Sequence, residues 1–246
     1  MCIRDRINSI GLPNKGLEGF LDFDLPFLAQ LPVPLVVSIM GFSRDELATL
    51  VARVGEREQV ALIELNVSCP NVETGMIMGA DPRETAALVA HVRPLTRKPL
   101  IVKLTPNCTS PGDVAAAAEA EGADAVSLIN TLRGMAFHPR RPGVPWLGGG
   151  TGGVSGPAVR AVALAQVAAV RARVEVPIVG MGGVQTGRHA RDMLEAGAAV
   201  VAVGTESFRD PMAGARVAAE LAESLANSGI AATAAAPAPE PISHNV

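Results

Sequence analysis

Two asparagines, a thiol and a proline close an apolar run at Ile63-Glu64-Leu65-Asn66-Val67-Ser68-Cys69-Pro70-Asn71. Side-chain amides offer donors and acceptors together, so Asn66 and Asn71 could hold a flat, imide-like ring by its edges. A cysteine on a loop can accept a proton once it is a thiolate. The chemistry suggested is proton abstraction from a small polar ring. The same stretch also fits a plain turn of Asn and Pro around an inert, half-buried thiol, and the stretch alone does not choose.

The surrounding pattern shows what positions these residues. β-Branched apolar runs alternate with helical segments along the chain. Strands are predicted at 34–40, 61–65, 100–104, 125–129, 177–180 and 199–203. Helices are predicted from the capping box at Ser43-Arg44-Asp45-Glu46, from Asp81-Pro82, and over 113–120, 157–173, 187–196 and 212–226. Segments 7–16, 66–80 and 130–156 read as loops rich in Gly, Asn and Pro. Six such units predict a parallel sheet covered on its faces. The fold expected is α/β: a (β/α)8 TIM barrel represented by about its last six βα units, with an open doubly wound sheet as the other possibility.

Polar and glycine residues gather after the strands, on the face where barrel sites form. Asn66 and Cys69 follow one strand, Asn130 and Thr131 another, and Lys103 lies near the end of the strand between. The last two strands run into Gly180-Met181-Gly182-Gly183 and Val203-Gly204-Thr205. Glycines there let backbone N–H groups approach a phosphate, although tight βα turns need glycine too. Lys103 is either a salt-bridged core lysine or a fixed positive charge for an anion formed in catalysis.

The 246 residues are 48% hydrophobic with a formal net charge of −3, enough for one sizeable core. The mildly acidic balance leaves no footprint for nucleic acid or an anionic membrane surface. No apolar run approaches the ~20 residues of a membrane helix. Cys2, Cys69 and Cys108 are too scattered for a disulfide framework or an iron–sulfur cluster, which suggests a reduced, cytoplasmic setting. The histidines lack metal-ligand spacing, so no metal site is expected. Arg140-Arg141 reads as a solvated loop or, less simply, a partner contact. Residues 1–6 read as foreign to the rest of the chain, 7–226 as the folded domain lacking its first strands, and 227–246 as a disordered Ala/Pro-rich tail.

Taken together, the motifs resemble dihydroorotate dehydrogenase of class 1, most closely the class 1B, NAD-linked catalytic subunit. The matching stretches are Asn8 to Asn14, Leu65 to Asn71, Val102 to Asn107, Ile129 to Gly134, Thr151 to Pro157, Gly180 to Gly183 and Ala202 to Thr205. The resemblance covers residues 7 to about 222, and it is the order of seven motifs that makes it specific.

The resemblance implies an FMN barrel that oxidises (S)-dihydroorotate to orotate in pyrimidine synthesis. Cys69 would remove the C5 proton while hydride leaves C6 for the flavin, and Lys103 would stabilise the reduced flavin. Asn8, Ser9, Ile10, Gly11, Leu12, Asn66, Asn71, Asn130 and Thr131 match substrate-contacting positions. Ser38, Asn66, Lys103, Ile129, Gly156, Gly182, Gly183, Gly204 and Thr205 match flavin-contacting positions. A partner subunit carrying FAD and a [2Fe–2S] cluster, around a homodimeric core within a heterotetramer, would pass electrons to NAD. The family has about two further βα units ahead of this start. Two other readings stay open: a flavin barrel like that of dihydropyrimidine dehydrogenase, or a non-catalytic truncated fragment.

Overall fold

The structure is a computed structural model that describes residues 5–68 and 78–227. A short strand, β1 (Arg6–Asn8), opens it. Two single-turn helices, α1 (Gly16–Gly19) and α2 (Leu25–Leu28), come next, joined by a π-helical turn at Phe20–Asp24. Strands and helices then alternate: β2 (Leu35–Ile39), α3 (Arg44–Gly55), β3 (Val60–Asn66), α4 (Pro82–Val92), β4 (Leu100–Lys103), α5 (Pro111–Ala120) and β5 (Ala125–Leu128). Two short strands, β6 (Leu132–Gly134) and β7 (Gly152–Ser155), precede α6 (Arg160–Arg171), β8 (Ile178–Met181), α7 (Gly187–Glu195), β9 (Val200–Ala202) and α8 (Ala213–Asn227).

The main sheet is parallel throughout, in the order β2-β3-β4-β5-β8-β9. Neighbouring strands are consecutive βα units, as right-handed crossovers with short connections require. Side chains alternate across this sheet. Ile63, Leu65, Leu100, Val102, Val126, Leu128 and Ile178 face the helices and are fully buried. The helices return matching stripes: Leu47, Val51 and Val54 on α3, Leu88, Val89 and Val92 on α4, and Ala163, Val167 and Val170 on α6. Spacings of three and four residues put each set on one face.

Three helices start on side-chain caps, two of them at the predicted Ser43 and Asp81 signals. Ser43 Oγ accepts the Glu46 N–H at 3.2 Å, Asp81 accepts the Arg83 N–H at 2.8 Å, and Thr186 accepts the His189 N–H at 3.3 Å. Each satisfies an N–H that has no partner inside its helix.

Two expectations are corrected. Segments 7–16 and 130–156 are not wholly loop: β1, β7 and β6 form a separate antiparallel sheet, with Asn8 beside Gly153 and Leu132 beside Val154. Each strand is only three or four residues long, and β1 pairs with a strand far along the chain, so no local periodicity marks them. Gly153 is needed there because a Cβ would strike the Thr131 side chain. The stretch from Gly16 to Leu28, read as no particular element, is helical.

Candidate functional site

The inner face of the main sheet carries the polar half of the alternation. Register places Ser38 beside Glu64, Asn66 beside Lys103, and Lys103 beside Ser127. In a parallel pair, registered residues point to the same side, so four strands deliver their polar side chains to one surface. All of these lie near the carboxyl ends of their strands.

Lys103 stands where three cavities meet. The first, about 190 Å³, is lined by Gly156, Gly182, Gly183, Gly204, Thr205 and Ile129. The second, about 430 Å³, lies between β2 and α1 and is lined by Ser38, Asn66, Leu17 and Phe20. The third, about 590 Å³, takes Asn8, Ser9, Gly11, Leu12, Asn66, Asn130 and Thr131. Lys103 lines all three.

The glycine-lined cavity has the character of an anion seat. It sits after β8 and β9, and the second turn leads into a short 3-10 helix at Thr205–Phe208. Gly156, Gly182 and Gly183 all have positive φ, at 105°, 133° and 68°. Thr205 Oγ1 donates to Ser155 Oγ at 2.8 Å, which ties the turn to β7. Behind it, buried Glu206 accepts from Gln185 Nε2 at 2.6 Å and from the Arg209 guanidinium at 2.6 Å. The bond from Gln185 locks the two glycine turns to each other, and the arginine offsets the buried charge.

The amide-lined cavity is held just as closely. Asn130 Nδ2 donates to Ser68 Oγ at 2.9 Å and approaches Asn66 Oδ1 at 3.4 Å. Asn130 Oδ1 accepts the Thr131 N–H at 2.7 Å. Asn107, whose role the sequence did not reveal, clamps the next turn: its Nδ2 donates to the Thr131 carbonyl and its Oδ1 accepts the Arg133 N–H. Glu64 was also missed, although a lone carboxylate inside an apolar strand was its signal.

Most of the expected site residues are therefore brought together. Ile10 is the exception among the described residues: it is 75% exposed and lines none of the three cavities. Cys69 and Asn71 lie outside the described residues. Cys108 is half-buried, and burial pushes its thiol pKa up, the opposite of what a reactive thiolate needs. Arg140 and Arg141 are exposed. Among the described residues no three His, Cys, Asp or Glu side chains are grouped to hold a metal ion. No helix among them is long and apolar enough to cross a membrane.

The comparison with known proteins decides the family. The family model described as Dihydroorotate dehydrogenase matches residues 2–225. The chain belongs to the dihydroorotate dehydrogenase family. It is 48% identical over 225 residues to the "Dihydroorotate dehydrogenase B (NAD(+)), catalytic subunit" of Desulforudis audaxviator, covering 91% of this chain and 73% of that one. It is 45% identical over 229 residues to the protein of the same name from Geobacter sulfurreducens, covering 92% and 74%. Among solved structures, the DHODH of Eimeria tenella crystallised with ferulenol superposes with a TM-score of 0.72 at 23% identity, covering 92% of this chain and 69% of that one. That likeness is one of fold: the six βα units are part of a (β/α)8 barrel.

One titration bears on the family's glycine turns. His189 Nδ1 accepts the Gln185 N–H at 3.3 Å, which requires that nitrogen to be unprotonated. Burial, with the Arg160 guanidinium beside it, holds the His189 pKa below 6.5. The unfolded chain therefore binds this proton more readily than the folded one. Its stabilising contribution is full above pH ~6.5 and is lost as pH falls toward the folded value. The melting temperature is expected to fall between pH 7 and 5, and His189→Gln to remove part of that fall. Superimposable pH profiles for the two chains contradict the assignment.

Proposed function

We propose that this chain is a flavin-dependent dihydroorotate dehydrogenase that oxidises (S)-dihydroorotate to orotate in pyrimidine biosynthesis. The observation that carries the reading is Lys103, set between a glycine-lined anion seat and an amide-lined cavity. Relatives named as dihydroorotate dehydrogenase B catalytic subunits support it. FMN is the group whose shape and charge suit this donor set, and when bound it supplies the hydride acceptor. In this reading residues 7–226 form the flavin-binding unit.

The glycine turns and the turn at Thr205 hold the flavin phosphate through backbone N–H groups, and Ser38, Ile129 and Gly156 line the rest of its path. Lys103 supplies a fixed positive charge where negative charge develops on reduction. Asn66 and Asn130, with Asn71, Thr131 and the segment from Asn8 to Leu12, hold the dihydroorotate ring by complementary hydrogen bonds. Cys69 removes the C5 proton as hydride leaves C6. A partner subunit carrying FAD and a [2Fe–2S] cluster would supply the route for electrons to NAD, in keeping with relatives named "Dihydroorotate dehydrogenase B (NAD(+)), catalytic subunit". That partner pairs with a homodimer of this chain.

The test is anaerobic addition of dihydroorotate to the chain loaded with FMN. Bleaching of the oxidised flavin band is expected, while Cys69→Ala keeps the flavin and loses at least ~100-fold of the bleaching rate, the low end for a lost general base. No bleaching by the parent chain overturns the activity. Equal rates overturn the role of Cys69.

A further inference from the structure

Glu64 is a carboxylate only 9% exposed, pointing into the polar inner face of the sheet. Its Oε1 accepts from Ser38 Oγ at 2.7 Å and its Oε2 from Ser127 Oγ at 2.7 Å. The Lys103 ammonium lies 3.8 Å from Oε1. The serines come from β2 and β5, so one side chain on β3 is braced from strands on both sides. Burying a charge inside a sheet is costly unless it is paired and hydrogen-bonded, and an apolar residue would serve stability as well. The arrangement therefore asks what the carboxylate does. Lysine carries its charge on a flexible four-carbon stem and has no preferred geometry of its own. Glu64 and Lys103 are opposite charges 3.8 Å apart, and of the two it is Glu64 whose side chain is held by hydrogen bonds among the described residues.

We propose that Glu64 is a positioning residue for the flavin site: its doubly braced carboxylate fixes the Lys103 ammonium at the junction of the three cavities. This rests on the flavin reading above. A carboxylate acting through a lysine differs measurably from one acting by its own field. Its own field adds to the potential at the flavin whether or not the lysine is present. Positioning acts only when there is a lysine to position. The two effects separate in a double-mutant cycle.

The experiment measures the midpoint potential of bound FMN in four chains: the parent, Glu64→Gln, Lys103→Met and the double variant. Glutamine keeps the shape and one acceptor oxygen but removes the charge. With Lys103 present, the Glu64→Gln shift is expected to favour reduced FMN at least tenfold less than the same shift measured on Lys103→Met. For a two-electron couple that difference is about 30 mV. Equal shifts in the two backgrounds overturn the proposal. Glu64→Asp gives a second cycle should glutamine prevent folding. It keeps the charge but draws the carboxylate back by one methylene, so the same inequality is expected and equality again overturns it. A parent chain that binds no FMN overturns the flavin reading, which the potentials of a loaded chain leave standing whichever way the cycle falls.

Discussion

Gly183→Ala is expected to weaken FMN binding by at least ~100-fold, about 2.7 kcal/mol. Gly183 has φ at 68°, where an L side chain costs roughly 1–2 kcal/mol. Its added Cβ would lie 2.8 Å from the Gly156 carbonyl oxygen and 2.8 Å from Arg160 Cβ. The first contact is against backbone, so it cannot be relieved by a rotamer change. Relief must move the Gly183 turn, the Gly156 turn or both, and both line the anion seat. Gly143→Ala is the matched control: φ is 74°, but nothing lies within 4 Å of the added Cβ. It carries similar strain and should leave the flavin affinity unchanged. Titration of each chain with FMN by fluorescence quenching checks the pair, and an unaltered Kd for Gly183→Ala removes the phosphate assignment.

Lys103→Met is expected to slow flavin reduction by dihydroorotate about 10²–10³-fold, the usual cost of removing a preorganised group that meets developing charge. Methionine preserves most of the apolar stem and deletes the ammonium. Oxidised FMN should still bind, because the glycine turns are untouched. Rapid-mixing absorbance in the flavin band separates the two quantities. A parent-like reduction rate means that the charge at Lys103 plays no part in the chemistry.

Only part of this site was legible along the chain. Asn66, Lys103, Asn130 and the two glycine turns stand at the ends of apolar strands, and parallel strands deliver their carboxyl-terminal residues to one end of the barrel. Glu64 stood out as a lone carboxylate in an apolar run, but nothing near it in the chain shows what it bonds to. Its neighbours on β2 and β5, Ser38 and Ser127, are 26 and 63 residues away. Asn107 was overlooked for a similar reason, since its partners Thr131 and Arg133 are 24 and 26 residues on.

The order of βα units, the capped helix starts and the helix-facing core were written in local periodicity, because each depends on residues at most four positions apart. The small antiparallel sheet that β1 builds with β7 and β6 was not, nor was the clamp that Glu64 builds around Lys103. Both depend on pairings between segments well separated in the chain, which no pattern within four residues can specify.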